Sequence, residues 1–525
     1  MTGKPGRFKI SAQTHRQDGT HDLLTARSGF FIVYPNQVGT GGGMKDRDLR
    51  DFIKMAQEAG DLRRISPEVD WDLELSHIAK INEERRGPAL LFENVKGYDI
   101  PVFSSILSTP KRLAMALMMP TDWSICQMAK EWVQRCQNQR IAPVEVQEAP
   151  FKENILKGEA VNLYRLPAPR FYEHDGGRYV GTFCTWVTRD PETGCVNLGT
   201  YRLQILDPRS AGSWVVRGKH AELHLRKYAA RNEPMPVAVI LGYDPLMILC
   251  SGAPLAFGES EYDLMGALRG FPVPVTRGEV VDLPVPANAE IVLEGYVWPG
   301  RLKPEGPFGE FTGYYSGGER EGIGPSPKEY IDVQCISHRN HPIYPICSVG
   351  RPVTDDHMIV SLFRTSSLWL DLDAMKIPGI QSVYIPPESC GSFIAIVSVK
   401  QMYPGHSRQV GNAVLASNCG TYAVKMVIVV DEDIPADDLD KVLWALSVRY
   451  QPDRSTDVLR GQRSNPLDPS LHVDARDVTS KIILDATIPF DWKEKPRVAS
   501  LSPQVVERVL GRWKEYGLED ISPKR

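Results

Sequence analysis

The spacing of apolar residues separates helix-period from strand-period stretches along the chain. Leu49, Phe52, Ile53 and Ala56 fall at i, i+3, i+4 and i+7, which predicts an amphipathic helix over 46–59 with Gly60 as its stop. The apolar run 88–92 ahead of Lys96-Gly97-Tyr98 reads as a strand and turn, so 44–125 is assigned to an α/β lobe. Residues 236–242 read as a buried strand, and 331–336 alternate like a half-buried one. Between them, Ser260 is placed to cap a helix with Glu261 in its first turn, Leu264, Met265 and Leu268 behind it, and Gly270 at its end. The region 126–350 is therefore read as a split β-barrel.

The region 351–525 returns to α/β. A strand-like run at 423–430 is followed by a helix with Leu439, Val442, Leu443 and Leu446 on one face. A last helix has Ser502 as cap and Pro503 at its first position, carries Val505, Val506, Val509, Leu510 and Trp513, and stops at Gly517. Such a terminal face usually packs on its own domain, and in fewer cases docks on another subunit. The fold class is α/β (α+β), in three regions.

Composition changes the picture at the level of partners. The 525 residues hold 61 Lys+Arg against 65 Asp+Glu, a net charge of −4, too near neutral for nucleic acid to be the default partner. No stretch approaches the roughly 20 apolar residues of a membrane span. The nine cysteines are dispersed without a CxxC pair, which argues against a disulfide framework or a thiolate zinc site and for a cytoplasmic home. The 43 Gly and 41 Pro residues are scattered, which excludes an all-helical bundle. Residues 1–43 differ: Lys4, Arg7, Lys9, Arg16 and Arg27 face only Asp18 and Asp22, and the stretch ends in three glycines. It reads as a flexible leader or as a start codon set too early, because Met44 directly precedes the first helix; a transit peptide is the lesser alternative.

Candidate chemistry concentrates in two segments. In 303–314, Glu305 and Glu310 sit five apart in a loop rich in Gly and Pro, where glycines permit close backbone approach to a ligand. A carboxyl group beside Phe308 and Phe311 would have a raised pKa and could donate a proton; the alternative is a solvated loop with two ordinary glutamates. In 197–202, Arg202 either clamps a carboxylate bidentately or is a surface arginine of an edge strand. Asn197, His220 and Glu261 would suit a hard divalent ion, but spacing alone does not assemble them into one site. The phosphate loop GxxxxGK[ST], HExxH and the GxSxG elbow are all absent.

Taken together and in order, the segments 87–94, 109–112, 197–202, 261–270, 305–314, 403–406 and 480–487 make the chain resemble the UbiD-type decarboxylases, which use prenylated FMN. The resemblance covers about 44–492. It implies a central flavin-binding split barrel and a C-terminal oligomerisation domain. It implies Mn²⁺ (or Mg²⁺) held by Asn197, His220 and Glu261 against the cofactor phosphate, and K⁺ near Ser251 and Glu261. Arg202, Glu305 and Glu310 correspond to the family's catalytic network, with Arg202 holding the carboxylate and Glu310 as proton donor. Thr200, Tyr201, Trp214, Val215 and Lys219 correspond to residues lining the flavin, and Lys425, chosen over Lys400, to a phosphate-binding lysine.

The expected reaction is reversible, non-oxidative decarboxylation of an aromatic or heteroaromatic acid. The implied partners are that acid and CO₂, a flavin prenyltransferase supplying the cofactor, and further copies of the chain in a dimer or hexamer. Phe311, Ile488 and Phe490 are candidate pocket residues for a flat substrate. The alternative is a flavin- or phosphate-binding subunit of a carboxylase complex without decarboxylase activity of its own. A metal-dependent hydrolase is a third reading, for which this ligand set offers no obvious water-activating geometry.

Overall fold

In the computed structural model of the chain, residues 47–215, 218–253, 255–316 and 324–518 are described. The leader read at 1–43 lies outside them. The first helix is Leu49–Glu58, and its four periodic residues are all buried. Asp48 closes a capping box, accepting from Arg50 N at 2.9 Å and Asp51 N at 3.1 Å, while Asp51 accepts from Asp48 N. The helix lies against a four-stranded sheet of Leu62–Ile65, Ala89–Phe92, Val102–Ser104 and Tyr344–Pro345. The last of these strands comes from more than 200 positions later, so the first region is stitched to the end of the second.

The central region is built on a nine-stranded sheet. Its long hairpin pairs Ile291–Glu305 with Ser326–His338, and the register runs out to Glu305 opposite Ser326. Met235–Leu241, Thr185–Arg189 and Val196–Gly199 follow on one side; Ser210–Ser213, Leu203–Asp207 and Tyr179–Gly181 follow on the other. Among the described residues this path stays open rather than closing into a barrel. Helix Glu261–Arg269 forms as the sequence predicts and ends at Gly270 with φ 77°, but the Ser260 side chain makes no capping bond.

In the third region, Ile394–Val399, Met426–Asp431 and Val478–Ala486 pair in parallel, with Ile380–Tyr384 and Thr456–Arg463 as antiparallel edges. Val427–Val430 is buried throughout, as expected of an inner parallel strand covered on both faces. Two sequence expectations are corrected here. Helix Leu439–Val448 buries Val442 and Ala445, whereas Leu443 is 66% exposed. The terminal helix, Pro503–Gly511, fully buries none of its residues; Val506 and Val509 are half-buried while Val505 and Leu510 are exposed.

The boundary at 125/126 coincides with the start of helix Ile125–Arg135. This helix packs on Asp355–Ala374 of the third region, with the Trp132 and Phe363 rings 5.7 Å apart. One core cluster runs from Leu49 through Trp132 and Phe363 to Val430.

Candidate active site

Strand Val196–Gly199, the link through Thr200, Tyr201 and Arg202, and strand Leu203–Asp207 carry the centre of the site. Alternation decides which side chains face it. Tyr201 turns inward, 8% exposed, with its ring 5.3 Å from Trp186 in edge contact, so the structure sets it in the core rather than on a cavity wall. Thr200 and Arg202 each line a cavity.

Arg202 is bound on every edge. Nε and Nη2 donate to the two oxygens of Glu305 at 2.9 and 3.0 Å, a bidentate pair, while Nη1 donates to Glu310 Oε1 and, at 3.2 Å, to Ser316. The guanidinium lies over Phe308 (4.8 Å) and Trp214 (5.3 Å). Glu305 is fully buried and Glu310 is 7% exposed. Burial pulls the Arg202 pKa down, but the two carboxylates outweigh it and hold the group above its ordinary value.

Ser316 Oγ donates to Glu310 Oε1 at 2.5 Å. Both donors to Glu310 thus converge on one oxygen, Oε1.

The loop's glycines serve its own packing. A Cβ on Gly176 would stand 2.0 Å from the Gly306 carbonyl oxygen, and one on Gly309 would stand 2.5 Å from the Tyr172 ring. Phe308 faces Arg202 and the Tyr179 ring rather than a ligand.

Asn197, His220 and Glu261 come together although they lie on three elements. His220 Nδ1 is 2.9 Å from Asn197 Oδ1, and Glu261 accepts from Leu198 N, next to Asn197, at 2.7 Å. Among the described residues no three His, Cys, Asp or Glu side chains cluster for a metal, so a site here depends on the asparagine.

The donors fit a hard divalent ion. Asn197 Nδ2 is buried without a partner among the described residues while its Oδ1 faces His220 Nδ1, so the amide is only half satisfied in this arrangement. Glu261 is 2% exposed, and burial pushes its pKa up to about 7 against the opposing Leu198 N–H. A cation would supply the counter-charge this carboxyl group lacks. Burial, then the Lys219 charge, lowers the His220 pKa, which keeps the imidazole in its neutral, ligating form. Ser251 is bonded to Thr200 at 2.7 Å and donates to Ile248 O.

Two cavities adjoin these groups. One of about 750 Å³ lies between the central and third regions, walled by Thr200, Lys219, Phe183, Ile248, Phe363 and Arg364 among others. One of about 300 Å³ is lined by Arg202, Trp214, Ser316, Lys328 and the segment containing Leu467 and Arg476. Val215 is half-buried against the central core. Lys425 stands outside both cavity walls, donating to both oxygens of Asp468 at 2.9 and 3.0 Å and to Ser470. Ile488 and Phe490 line neither cavity, and one face of Phe311 is stacked on Phe393.

Periodicity and motif spacing did not single out Ser316, Asp175, His357 or Arg364. Asp175 accepts from Gly309 N, Phe171 N and Tyr172 N and so fixes the loop ahead of Glu310; burial pushes its pKa up to about 6. His357 reaches the Phe311 carbonyl at 2.6 Å, and since a carbonyl only accepts, Nε2 carries the proton. The one local signal was the His174-Asp175-Gly176-Gly177 turn.

Three family profiles match in succession. These are the N-terminal, Rift-related and C-terminal domains of the 3-octaprenyl-4-hydroxybenzoate carboxy-lyases, over 53–132, 143–352 and 357–486. The chain belongs to the UbiD family of carboxy-lyases. An uncharacterized protein of Archaeoglobus fulgidus is 33% identical over 501 residues, covering 90% of this chain and 99% of its own.

Among solved structures, the UbiD-class enzyme HmfF from Pelotomaculum thermopropionicum in complex with FMN superposes with a TM-score of 0.80 at 28% identity. The match covers 89% of this chain and all of that one. An evolved dimeric form of HmfF has been solved with prFMN. Vanillic acid decarboxylase of Sedimentibacter hydroxybenzoicus, in its open form, gives 0.80 at 30% identity, with 90% and 99% covered. The UbiD architecture therefore holds over 89% of the chain. Among the described residues, no helix is long and apolar enough to cross a membrane.

Proposed function

We propose that this UbiD-family protein uses prenylated FMN to decarboxylate an aromatic or heteroaromatic acid reversibly and without net oxidation, Ar–CO₂⁻ + H⁺ giving Ar–H + CO₂. The observation that carries the reading is the buried Glu305–Arg202–Glu310 network, two residues along the chain from a cavity large enough for a flavin. A pure binding subunit has no need of such an acid network. FMN and prFMN in the HmfF structures support the cofactor class.

Prenylated FMN, when bound, supplies an electron sink for the breaking C–C bond. The chain's residues do the rest. Asn197, His220 and Glu261 would hold Mn²⁺ or Mg²⁺ against the cofactor phosphate, with K⁺ near Ser251. Glu305 occupies two edges of Arg202 and fixes its plane. Nη1 is the adjustable edge: once Glu310 is protonated and neutral, its hold on Nη1 weakens and the guanidinium can face the substrate carboxylate. Departure of CO₂ leaves a ring carbon needing a proton, and Glu310 gives it. Trp214 and Phe308 lie against Arg202 and help hold its guanidinium in place. A flavin prenyltransferase supplies the cofactor, and the protein works in the cytoplasm as a homo-oligomer.

The test is co-expression with a flavin prenyltransferase, followed by the absorption spectrum, metal content and CO₂ release from a panel of aromatic acids. A flavin spectrum, bound Mn²⁺ and release from at least one acid are expected. A colourless protein free of flavin and metal would refute the assignment.

A further inference from the structure

The 750 Å³ cavity is lined by two cations, Lys219 and Arg364, that form no direct ion pair among the described residues. Lys219 stands immediately before helix His220–Ala230, and Arg364 lies in the third turn of helix Asp355–Ala374, so they approach the cavity from different regions of the fold. Both side chains line the same cavity.

The carboxylates in the same wall, Asp356 and Asp371, make no ion pair with Lys219 or Arg364 among the described residues. Asp356 accepts from the Thr354 hydroxyl, and Asp371 accepts from Cys419 N at 2.9 Å. Arg364 has the Tyr422 ring 5.9 Å away and no ion pair among the described residues. A phosphate placed between Lys219 and Arg364 would give both unpaired cations an opposite charge to meet. A guanidinium fork also matches the oxygens of a phosphate. The remaining wall, with Phe183, Ile248, Ile359 and Phe363, is apolar and suits a ring system.

We propose that Arg364 and Lys219 clamp the phosphate of the flavin mononucleotide, so that the C-terminal region recognises the cofactor through an arginine. This rests on the flavin reading above and replaces Lys425 in the phosphate role, since Lys425 already has its carboxylate in Asp468. The phosphate monoester carries close to two negative charges at neutral pH, which matches the two cations.

The test compares FMN with riboflavin, which lacks the phosphate, by flavin fluorescence on apoprotein in buffer containing Mn²⁺. Wild type should bind FMN at least tenfold more tightly than riboflavin. Arg364→Gln should weaken FMN binding about tenfold and leave riboflavin within twofold; Arg364→Lys should restore part of the loss. Lys219→Gln, at an exposed position, should show the same FMN-selective loss and guards against a folding defect in the first variant.

Unchanged FMN affinity in both Gln variants, or equal loss of FMN and riboflavin, overturns the clamp while leaving the flavin reading intact. If FMN binding is unchanged and only the KM for the acid rises, the cations serve the substrate and the clamp is likewise refuted. Wild-type protein that binds neither flavin refutes the flavin reading and the clamp with it.

Discussion

Glu310 holds its two donors, Arg202 and Ser316, on a single oxygen, and this arrangement makes a sharp substitution possible. Glu310→Gln retains an acceptor for both donors, so the loop and the Arg202–Glu305 pair should stay in place. It removes only the transferable proton. Product formation should fall by about 10²–10⁴-fold, the usual worth of a positioned general acid, and deuterium incorporation into the product ring should fall with it. The circular dichroism spectrum and flavin binding should match wild type. A variant that turns over normally would remove Glu310 from the proton-donor role. The two glutamates were legible in the sequence because a Gly/Pro-rich loop isolates them. Ser316 and Asp175 were not, because their contacts depend on how that loop folds back on Gly309 and Arg202.

At the scale of single elements, the two helix starts read from the same kind of signal differ in substance. Asp48 makes its cap, and its carboxylate also meets Arg339 at 2.8 Å. Ser260 occupies the cap position of helix Glu261–Arg269 without making the bond. Asp48→Ala should therefore cost about 1–2 kcal/mol, more if the Arg339 contact counts, while Ser260→Ala should stay within about 0.5 kcal/mol. Denaturant midpoints of the two variants check this, and equal shifts would contradict it.

The comparison shows what local pattern can convey. Helix Leu49–Glu58 and strand Met426–Asp431 were readable because burial on one face or on both sets their periodicity. Helix Leu439–Val448 misled because its apolar residues run around more than one face, and the inner one is Val442 with Ala445. Tyr201 misled in a related way: alternation puts it on the core side, between two residues that do line cavities.

For the whole molecule, the three-region division understates how far the regions share one interior, because strand Tyr344–Pro345 and helix Ile125–Arg135 pack across it and no local periodicity encodes such pairings. Two apolar surfaces of the C-terminal region remain exposed among the described residues. One is the terminal segment, with Leu501 82%, Val505 43% and Leu510 45% exposed; the other is helix Leu439–Val448, with Leu443 66%, Trp444 40% and Val448 60% exposed. Apolar surface on this scale marks an interface more often than a free face. Within the terminal helix Pro503–Gly511 Arg508 is offset by Glu507, so the helix offers no net charge to attract a polyanion. One of these helices meeting the other on a second copy would make a self-complementary contact between identical chains.

Light scattering should accordingly find the full chain as a dimer or a larger closed oligomer. Val505→Glu or Leu443→Glu, both at exposed positions and so of little consequence to the isolated fold, should shift it towards monomer without lowering its unfolding midpoint by more than the lost association explains. A full-length chain that is a stable monomer at micromolar concentration, or an oligomer indifferent to both substitutions, would show that these faces are not where the copies meet.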